Sequence, residues 1–160
     1  DDDYSLKATE LADKVYELTQ FLDHVGYQPK SIARSPVTYH DACAGLRELG
    51  IKQQPRSLLG AAGVSISELQ ETQSCCGFGD TFCVKYPLIS AAMADKKIED
   101  IASTNCSTVV AGDLGCLLNI EGRLSRIGSG IEVKHTAEVL AEGLRTRPDA
   151  EVENKAKRES

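Results

Sequence analysis

Residues 74–83 read Ser74-Cys75-Cys76-Gly77-Phe78-Gly79-Asp80-Thr81-Phe82-Cys83. The adjacent cysteines place two thiols on one tight turn, and Gly77 and Gly79 let the backbone of that turn approach a bulky ligand closely. Thiolates grouped in this way bind soft metals, above all iron–sulfur clusters and zinc. We therefore expect the rest of the chain to act as a scaffold that brings further ligands to this turn.

The composition is that of a globular domain. The chain has 160 residues, of which 41% are hydrophobic, and this suits one domain with an aliphatic core. A formal net charge of −6 argues against nucleic acid or an anionic membrane as the main partner. We expect no membrane span, because no apolar run approaches the roughly 20 residues that a bilayer crossing needs, and no signal peptide opens the chain.

The six cysteines admit two interpretations. A secreted disulfide framework is usually shorter and poor in regular elements. This chain instead shows long helical patterns and apolar strands, which favour metal-binding thiols in a reducing compartment. We therefore expect a cytoplasmic location.

Apolar periodicity predicts alternating strands and helices. The predicted strands are residues 37–40, 64–69, 107–111 and 131–134, and the predicted helices are residues 4–25, 55–62, 87–104, a helix following Cys116 and ending near Gly128, and residues 136–144. Ser5 is a plausible N-cap of the first helix, and Asp41 is a plausible cap of a short helical segment near Leu46.

This alternation predicts an α/β fold, namely a small four-stranded parallel sheet of Rossmann-like type with helices on both faces. We expect residues 1–148 to form a single domain whose N-terminal helix is residues 4–25. The segment 149–160 is polar and charged, and we expect it to be a disordered tail.

The unusual residues all follow predicted strands. In parallel sheets, ligands bind at the carboxyl ends of the strands, so residues that follow the strands meet at one edge. These residues are Cys43 after the first strand, Cys75 and Cys76 after the second, Asp113 and Cys116 after the third, and His135 after the fourth. The sequence therefore predicts a ligand site at this edge.

Four cysteines at that edge, Cys43, Cys75, Cys76 and Cys116, are enough to hold an iron–sulfur cluster of the 4Fe–4S type or to close a tetrahedral zinc site. Adjacent cysteines fit one tetrahedral zinc ion poorly because neighbouring side chains diverge, and this favours the cluster. A metal-free thiol module, with Cys83 forming a disulfide to Cys75 or Cys76, is a third interpretation.

Several neighbours of the four cysteines have two interpretations. Asp113 is an oxygen ligand or proton donor, or the N-cap of the helix that carries Cys116. Cys83 is an auxiliary ligand or a small buried apolar residue. His40 and His135 are structural, or they hydrogen-bond to the sulfurs of a bound cluster and move protons.

Three basic residues also have two interpretations. Arg47, Lys85 and Arg123 either offset the charge of an anionic cluster or are solvated surface charges. Cys106 precedes the third strand, at the opposite edge of the sheet, and is predicted to be structural.

The motif spacing resembles a known family. Thirty-one residues separate Cys43 from Cys75, and thirty-six separate Cys76 from Asp113, which opens Asp113-x-x-Cys116. This pattern, with the phrases at residues 40–50, 82–87, 111–116 and 135–140, resembles the cysteine-rich CCG domain. That domain occurs, usually as two copies per chain, in heterodisulfide reductase, in the iron–sulfur subunit of glycolate oxidase and in the lactate-utilisation A proteins. The phrases look most like the C-terminal half of the last group.

The resemblance implies an iron–sulfur subunit domain of a complex that oxidises L-lactate or a similar 2-hydroxy acid and passes on the electrons. It implies that the other subunits of that complex are its partners, that the chain is not active alone, and that Cys43, Cys75, Cys76 and Cys116 bind the cluster. It identifies no catalytic residue. The slot at Asp113 is cysteine in heterodisulfide reductase, so ligation by five thiolates is not expected here. A structural zinc domain for subunit docking is the alternative.

Overall fold

A computed structural model describes residues 2–145 of the chain, with side chains for residues 4–144. The predicted disordered tail, residues 149–160, lies outside the described residues. None of the helices in the described part combines the length and the apolarity that crossing a bilayer requires.

The sheet contains four parallel strands in the order β2-β1-β3-β4. Their bounds are Val37–His40 for β1, Ile66–Glu68 for β2, Thr108–Ala111 for β3 and Glu132–His135 for β4. Each predicted strand is present, within two residues at either end. The predicted α/β fold with a small four-stranded parallel sheet is therefore confirmed.

The described residues contain eight helices. They are α1 Asp2–Ala12, α2 Leu18–His24, α3 Cys43–Glu48, α4 Gln53–Ala61, α5 Thr81–Lys85, α6 Pro87–Ser103, α7 Leu114–Arg126 and α8 Thr136–Arg145. The helices predicted over 55–62, 87–104 and 136–144 correspond to α4, α6 and α8.

The sheet is covered on both faces, as the alternation predicted. Side chains alternate between the two faces of a strand, so neighbouring residues of β3 enter different cores. Val110 packs with Val37 and Tyr39 of β1 against α4 and α8. Val109 packs against α6 and α7, in the core that also contains Cys76 and Cys116.

The single helix predicted over residues 4–25 is wrong. Glu17 has an extended backbone, and its carboxylate accepts hydrogen bonds from the amides of Thr19 and Gln20. An N-cap residue lies outside the helical conformation, so this capping box ends any continuous helix and starts α2. Residues 4–16 are exposed along their whole length.

Both predicted side-chain caps are also wrong. Ser5 lies inside α1, which begins at Asp2. The residue before α3 is Ala42, whose side chain makes no capping bond. Asp41 does not cap α3, because its carboxylate is bound by Arg56 of α4.

The strand order defines where ligands should bind. The connection from β1 leads to β2 on one side, and the following connection crosses to β3 on the other side. In open α/β sheets this reversal leaves a crevice at the carboxyl ends of the two central strands. The residues that follow β1 and β3 therefore face each other across this crevice.

Candidate metal centre

One cavity at the carboxyl edge of the sheet collects the predicted cysteines. It has a volume of about 480 Å³. Its lining includes Cys43, Cys75, Cys76, Cys116 and Asp113. Three segments far apart in sequence thus bring four thiols and the carboxylates of Asp80 and Asp113 to a common space, and all six cysteines of the chain are free.

Glycine is required at the double-cysteine turn. Gly77 has φ +88°, and a Cβ atom there would lie 2.7 Å from the carbonyl oxygen of Ser90. Gly79 also has positive φ, and its Cβ would lie 3.0 Å from that of Phe82. Both glycines therefore let the turn press against the helices that follow it, and the close approach to a ligand stays a prediction.

The ring of Phe78 anchors the turn on the opposite wall of the cavity. A Cβ atom at Gly115 would lie 2.5 Å from that ring, so the aromatic face rests on the backbone of α7. Asn119 of α7 donates a hydrogen bond to the carbonyl oxygen of Cys76 at 2.9 Å. These contacts tie the segment carrying Cys76 to the helix carrying Cys116.

The inner part of the site is formed by His40, Cys76 and Cys116. One ligand atom from each lies within 4.8 Å of the other two, and all three residues are buried. His40 is the last residue of β1 and is 1% exposed. Neither of its ring nitrogens has a hydrogen-bond partner among the described residues. The trio forms a compact set of soft donors able to hold a metal ion.

The hydrogen bond between the two inner cysteines shifts the pKa values of their thiols in opposite directions. The Cys116 thiol donates a hydrogen bond that lowers the pKa of Cys76 despite its burial, and the nearby imidazole of His40 acts in the same direction. The same hydrogen bond and burial raise the pKa of Cys116. Cys76 is therefore the thiolate of the pair, and the thiolate is the form that binds metals.

Cys43 and Cys75 form the outer part of the site and are half-buried. Burial raises the pKa of Cys75, the amide of Gly77 opposes this by donating to the sulfur at 3.3 Å, and the nearby thiols of Cys76 and Cys43 raise it further. The outer thiols thus lie close to each other and to the inner pair. In this arrangement the adjacent cysteines 75 and 76 belong to different parts of the site.

Asp113 is the N-cap of α7. Its carboxylate accepts a hydrogen bond from the amide of Cys116 at 2.7 Å, which confirms the capping interpretation. The same side chain also lines the cavity. A role as an oxygen ligand or proton donor remains a prediction, and it is compatible with capping.

Two other predicted neighbours, His135 and Cys83, are not among the residues that line this cavity. His135 donates from Nε2 to the carbonyl oxygen of Gly112 at 3.0 Å and accepts at Nδ1 from the amide of Ala137. It thus caps α8 and fixes the turn after β3. Cys83, in α5, lines a different cavity between α6 and α7, and its thiol donates to the carbonyl oxygen of Asp80.

Lys97 is a buried cation beside the site that was not predicted from the sequence. Its side chain is fully buried, and its ammonium donates to the carbonyl oxygen of Glu71 at 2.8 Å. Burial lowers the pKa of Lys97, while the charges of Asp100 and of the Cys76 thiolate oppose that shift. A lysine among Ala94, Ile98 and Ile101 on the apolar side of α6 is the sequence signal that could have revealed it.

Asp100 completes this contact with the segment before the cysteines. Its carboxylate accepts hydrogen bonds from the amides of Gln70 and Glu71 at 2.9 and 3.0 Å. Arg47 of α3 donates to the carbonyl oxygen of Gln73 at 3.0 Å. Side chains from two helices therefore hold the segment that leads from β2 to Cys75.

Taken together, the donors and the space suit a bound soft metal. The cavity offers four thiols, which are ligands for zinc and for iron–sulfur clusters. The imidazole of His40 is buried against them without a partner among the described residues. An internal unpaired polar group is costly, and a bound metal would relieve that cost.

The fold and this site define a class of protein. Residues 37–121, more than half of the chain, match the cysteine-rich domain family CCG. The chain belongs to this family, as its motif spacing predicted. The matched region begins with β1 and ends within α7, and it therefore contains the four cysteines, His40 and Asp113.

Individual proteins are similar to this chain over more of its length than the family match covers. The chain is 44% identical over 149 residues to lactate utilization protein A 2 of Bacillus cereus strain Q1. It is 43% identical over 149 residues to lactate utilization protein A 1 of Bacillus anthracis strain CDC 684 / NRRL 3495, and 42% identical over 147 residues to lactate utilization protein A of Bacillus cytotoxicus. These alignments cover 88–90% of this chain, and the chain spans 60–61% of the length of these relatives.

Proposed function

We propose that this chain is an iron–sulfur domain of a lactate-utilisation protein. It serves a cytoplasmic complex that oxidises L-lactate or a similar 2-hydroxy acid, and the other subunits of that complex are its partners. Cys43, Cys75, Cys76 and Cys116 are the ligands of a cluster of the 4Fe–4S type. When bound, such a cluster supplies one-electron transfer.

The observation that carries this proposal is the convergence of four thiols on one cavity. Of the adjacent cysteines that line it, Cys76 is buried and Cys75 is half-buried, and a multinuclear cluster accepts both on different metal atoms. The names of the relatives support the substrate class, since 42–44% identity extends over nearly the whole chain.

The residues of the chain prepare the site for an anionic group. Lys97 brings a buried positive charge near Cys76, and the amide of Gly77 donates to the sulfur of Cys75. The N-terminus of α7 lies beside Cys116, where the helix dipole favours negative charge. Asp113 and His135 fix the turn after β3 that leads into α7, the helix that carries Cys116.

The proposal is tested by metal and sulfide analysis of the chain purified without oxygen. We expect iron and acid-labile sulfide in excess of zinc, and a visible absorption that bleaches on reduction. Cys76→Ser should lose most of the iron, because it removes the inner thiolate. Cys106→Ser is the matched control, since Cys106 is also buried but precedes β3 at the opposite edge.

An outcome with neither iron nor sulfide, before or after anaerobic reconstitution, would refute the cluster. Equal iron contents in the Cys76→Ser and Cys106→Ser variants would refute the ligand assignment while leaving a cluster elsewhere in the chain.

A structural zinc domain for subunit docking is the second candidate, and one observation favours it. The inner trio of His40, Cys76 and Cys116 lies within a single 4.8 Å group, which is a set that one zinc ion can use with one further ligand. Tightly held zinc in the anaerobic protein, with unfolding on chelation and no redox response, would select this candidate.

A further inference from the structure

His40 differs from His135, the other histidine that ends a strand at the carboxyl edge of the sheet. Both ring nitrogens of His135 are occupied, by the carbonyl oxygen of Gly112 and the amide of Ala137. Both ring nitrogens of His40 are buried and have no hydrogen-bond partner among the described residues. Of these two histidines at the same edge, His135 has both ring nitrogens hydrogen-bonded and His40 has neither bonded among the described residues. The imidazole of His40 is therefore the one available to bind a ligand.

The strand places the imidazole of His40 toward the thiols. His40 is paired in register with Ala111 on β3, and alternation directs it to the face covered by α6 and α7. Its neighbour Asp41 is bound in the other direction by Arg56. The ring therefore lies with the sulfurs of Cys76 and Cys116, within 4.8 Å.

The spacing of the three ligand atoms fits direct coordination of one metal ion. No nitrogen of the ring makes a hydrogen bond of normal geometry to either sulfur. In a tetrahedral centre with metal–sulfur bonds of about 2.3 Å and metal–nitrogen bonds of about 2.0 Å, nitrogen and sulfur lie roughly 3.5 Å apart. That distance lies within the 4.8 Å that encloses the ligand atoms of the trio.

We propose that His40 is a direct nitrogen ligand of the metal bound at Cys76 and Cys116, so that the centre has mixed imidazole and thiolate ligation. This inference rests on the proposed function, because it requires the cysteines to bind metal. It moves His40 from the supporting role expected from the sequence to the ligand set. A neutral imidazole brings no negative charge to the centre, and imidazole ligands are associated with a higher reduction potential than thiolates.

The test uses Co²⁺ alone as the probe, added to the full chain after purification without oxygen and removal of metal. Pulsed electron paramagnetic resonance of the cobalt-loaded wild type should show the strong coupling of a directly bound imidazole nitrogen. This measurement needs no variant, so it does not depend on how well a buried substitution folds.

Variants then identify the nitrogen. His40→Leu should lose the coupling and weaken Co²⁺ binding by more than about a hundredfold, beyond the range of a residue that only supports a ligand. His40→Cys should also lose the coupling, but it should keep affinity within about tenfold and gain thiolate-to-cobalt absorption. His24→Ala is the control, because His24 is exposed on α2, and it should leave both coupling and affinity unchanged.

The outcomes separate this inference from the proposed function. Co²⁺ bound by the cysteines without nitrogen coupling, or with coupling that survives in His40→Leu, overturns ligation by His40 and leaves the cysteine site standing. A wild type that binds no Co²⁺ also overturns it, while iron and sulfide analysis still decides the proposed function.

Discussion

Gly77 shows how one residue controls the position of both cysteines. Its positive φ is a conformation that side chains other than that of glycine rarely adopt. Its Cα lies so close to α6 that an added Cβ would meet backbone oxygen, which cannot rotate away as a flexible side chain could. The turn therefore packs directly on the helix that also carries Lys97.

Gly77→Ala should destabilise the chain by about 2–4 kcal/mol, because it combines backbone strain with a contact that forces the turn outward. The free energy of unfolding from urea titration measures this. Gly60→Ala is the matched control. It has open space around its Cβ position and lies inside α4, so it should be neutral or stabilising by up to about 1 kcal/mol. A Gly77→Ala variant as stable as wild type would contradict the close packing of the turn.

At the scale of elements, Arg56 links α4 to the ends of two strands. Its guanidinium binds Asp41, which follows β1, through two hydrogen bonds of 2.9 and 2.8 Å, and it binds Glu68 at the end of β2 through two more. The side chain of Asp41 is 1% exposed. Removing one partner of such a buried pair leaves an uncompensated charge inside the protein.

Arg56→Gln should therefore lower the free energy of unfolding by about 3–5 kcal/mol at neutral pH. The hydrogen bonds from Arg56 lower the pKa of Glu68 below its ordinary 4.5. A pKa that is lower in the folded state than in the unfolded chain stabilises the folded state above pH 4.5. This stabilisation is lost as the pH falls through the pKa of Glu68 in the folded state. Wild type should thus lose stability below pH 4.5 more steeply than the variant.

Urea titrations of wild type and Arg56→Gln between pH 7 and pH 3 measure both effects. Arg126→Gln, which changes an exposed arginine at the end of α7, should match wild type throughout. Parallel acid profiles for wild type and Arg56→Gln would contradict the role of Arg56 at Glu68.

At the scale of the whole molecule, α1 stands apart from the covered sheet. Tyr4, Leu6 and Leu11 are 64%, 77% and 64% exposed, so the apolar residues of α1 bury little surface on this domain. The cores on both faces of the sheet are built by β1–β4 and the helices from α2 onward. The stability of the domain should therefore depend little on α1.

Deleting residues 1–12 should change the free energy of unfolding by less than about 0.5 kcal/mol, as expected for surface changes away from structural features. The deletion should also leave metal content unchanged, because the cavity is lined by residues 42–118. Urea titration and metal analysis of the shortened chain test this. A loss of several kcal/mol would mean that α1 packs on the domain in solution.

Much of this architecture was predictable because its signals are local. Short apolar runs and amphipathic spacing depend only on neighbouring residues, and parallel strands necessarily bring their carboxyl ends to one edge. The convergence of Cys43, Cys75, Cys76 and Cys116 followed from that geometry. The break between α1 and α2 was missed although its cause is also local, since Glu17 and Gln20 form a capping box that competes with the helical periodicity.

The sequence by itself determined the strand–helix alternation, the family and the edge at which the thiols gather. Only the tertiary structure decided how the thiols divide into an inner pair and an outer pair. It also decided that the ring nitrogens of His40, unlike those of His135, have no hydrogen-bond partner among the described residues. It also decided that Lys97 is buried beside Cys76 and that Asp41 pairs with Arg56. The physical reason is that these relations depend on distances between side chains remote in sequence, which strand order and helix packing set and local patterns do not encode.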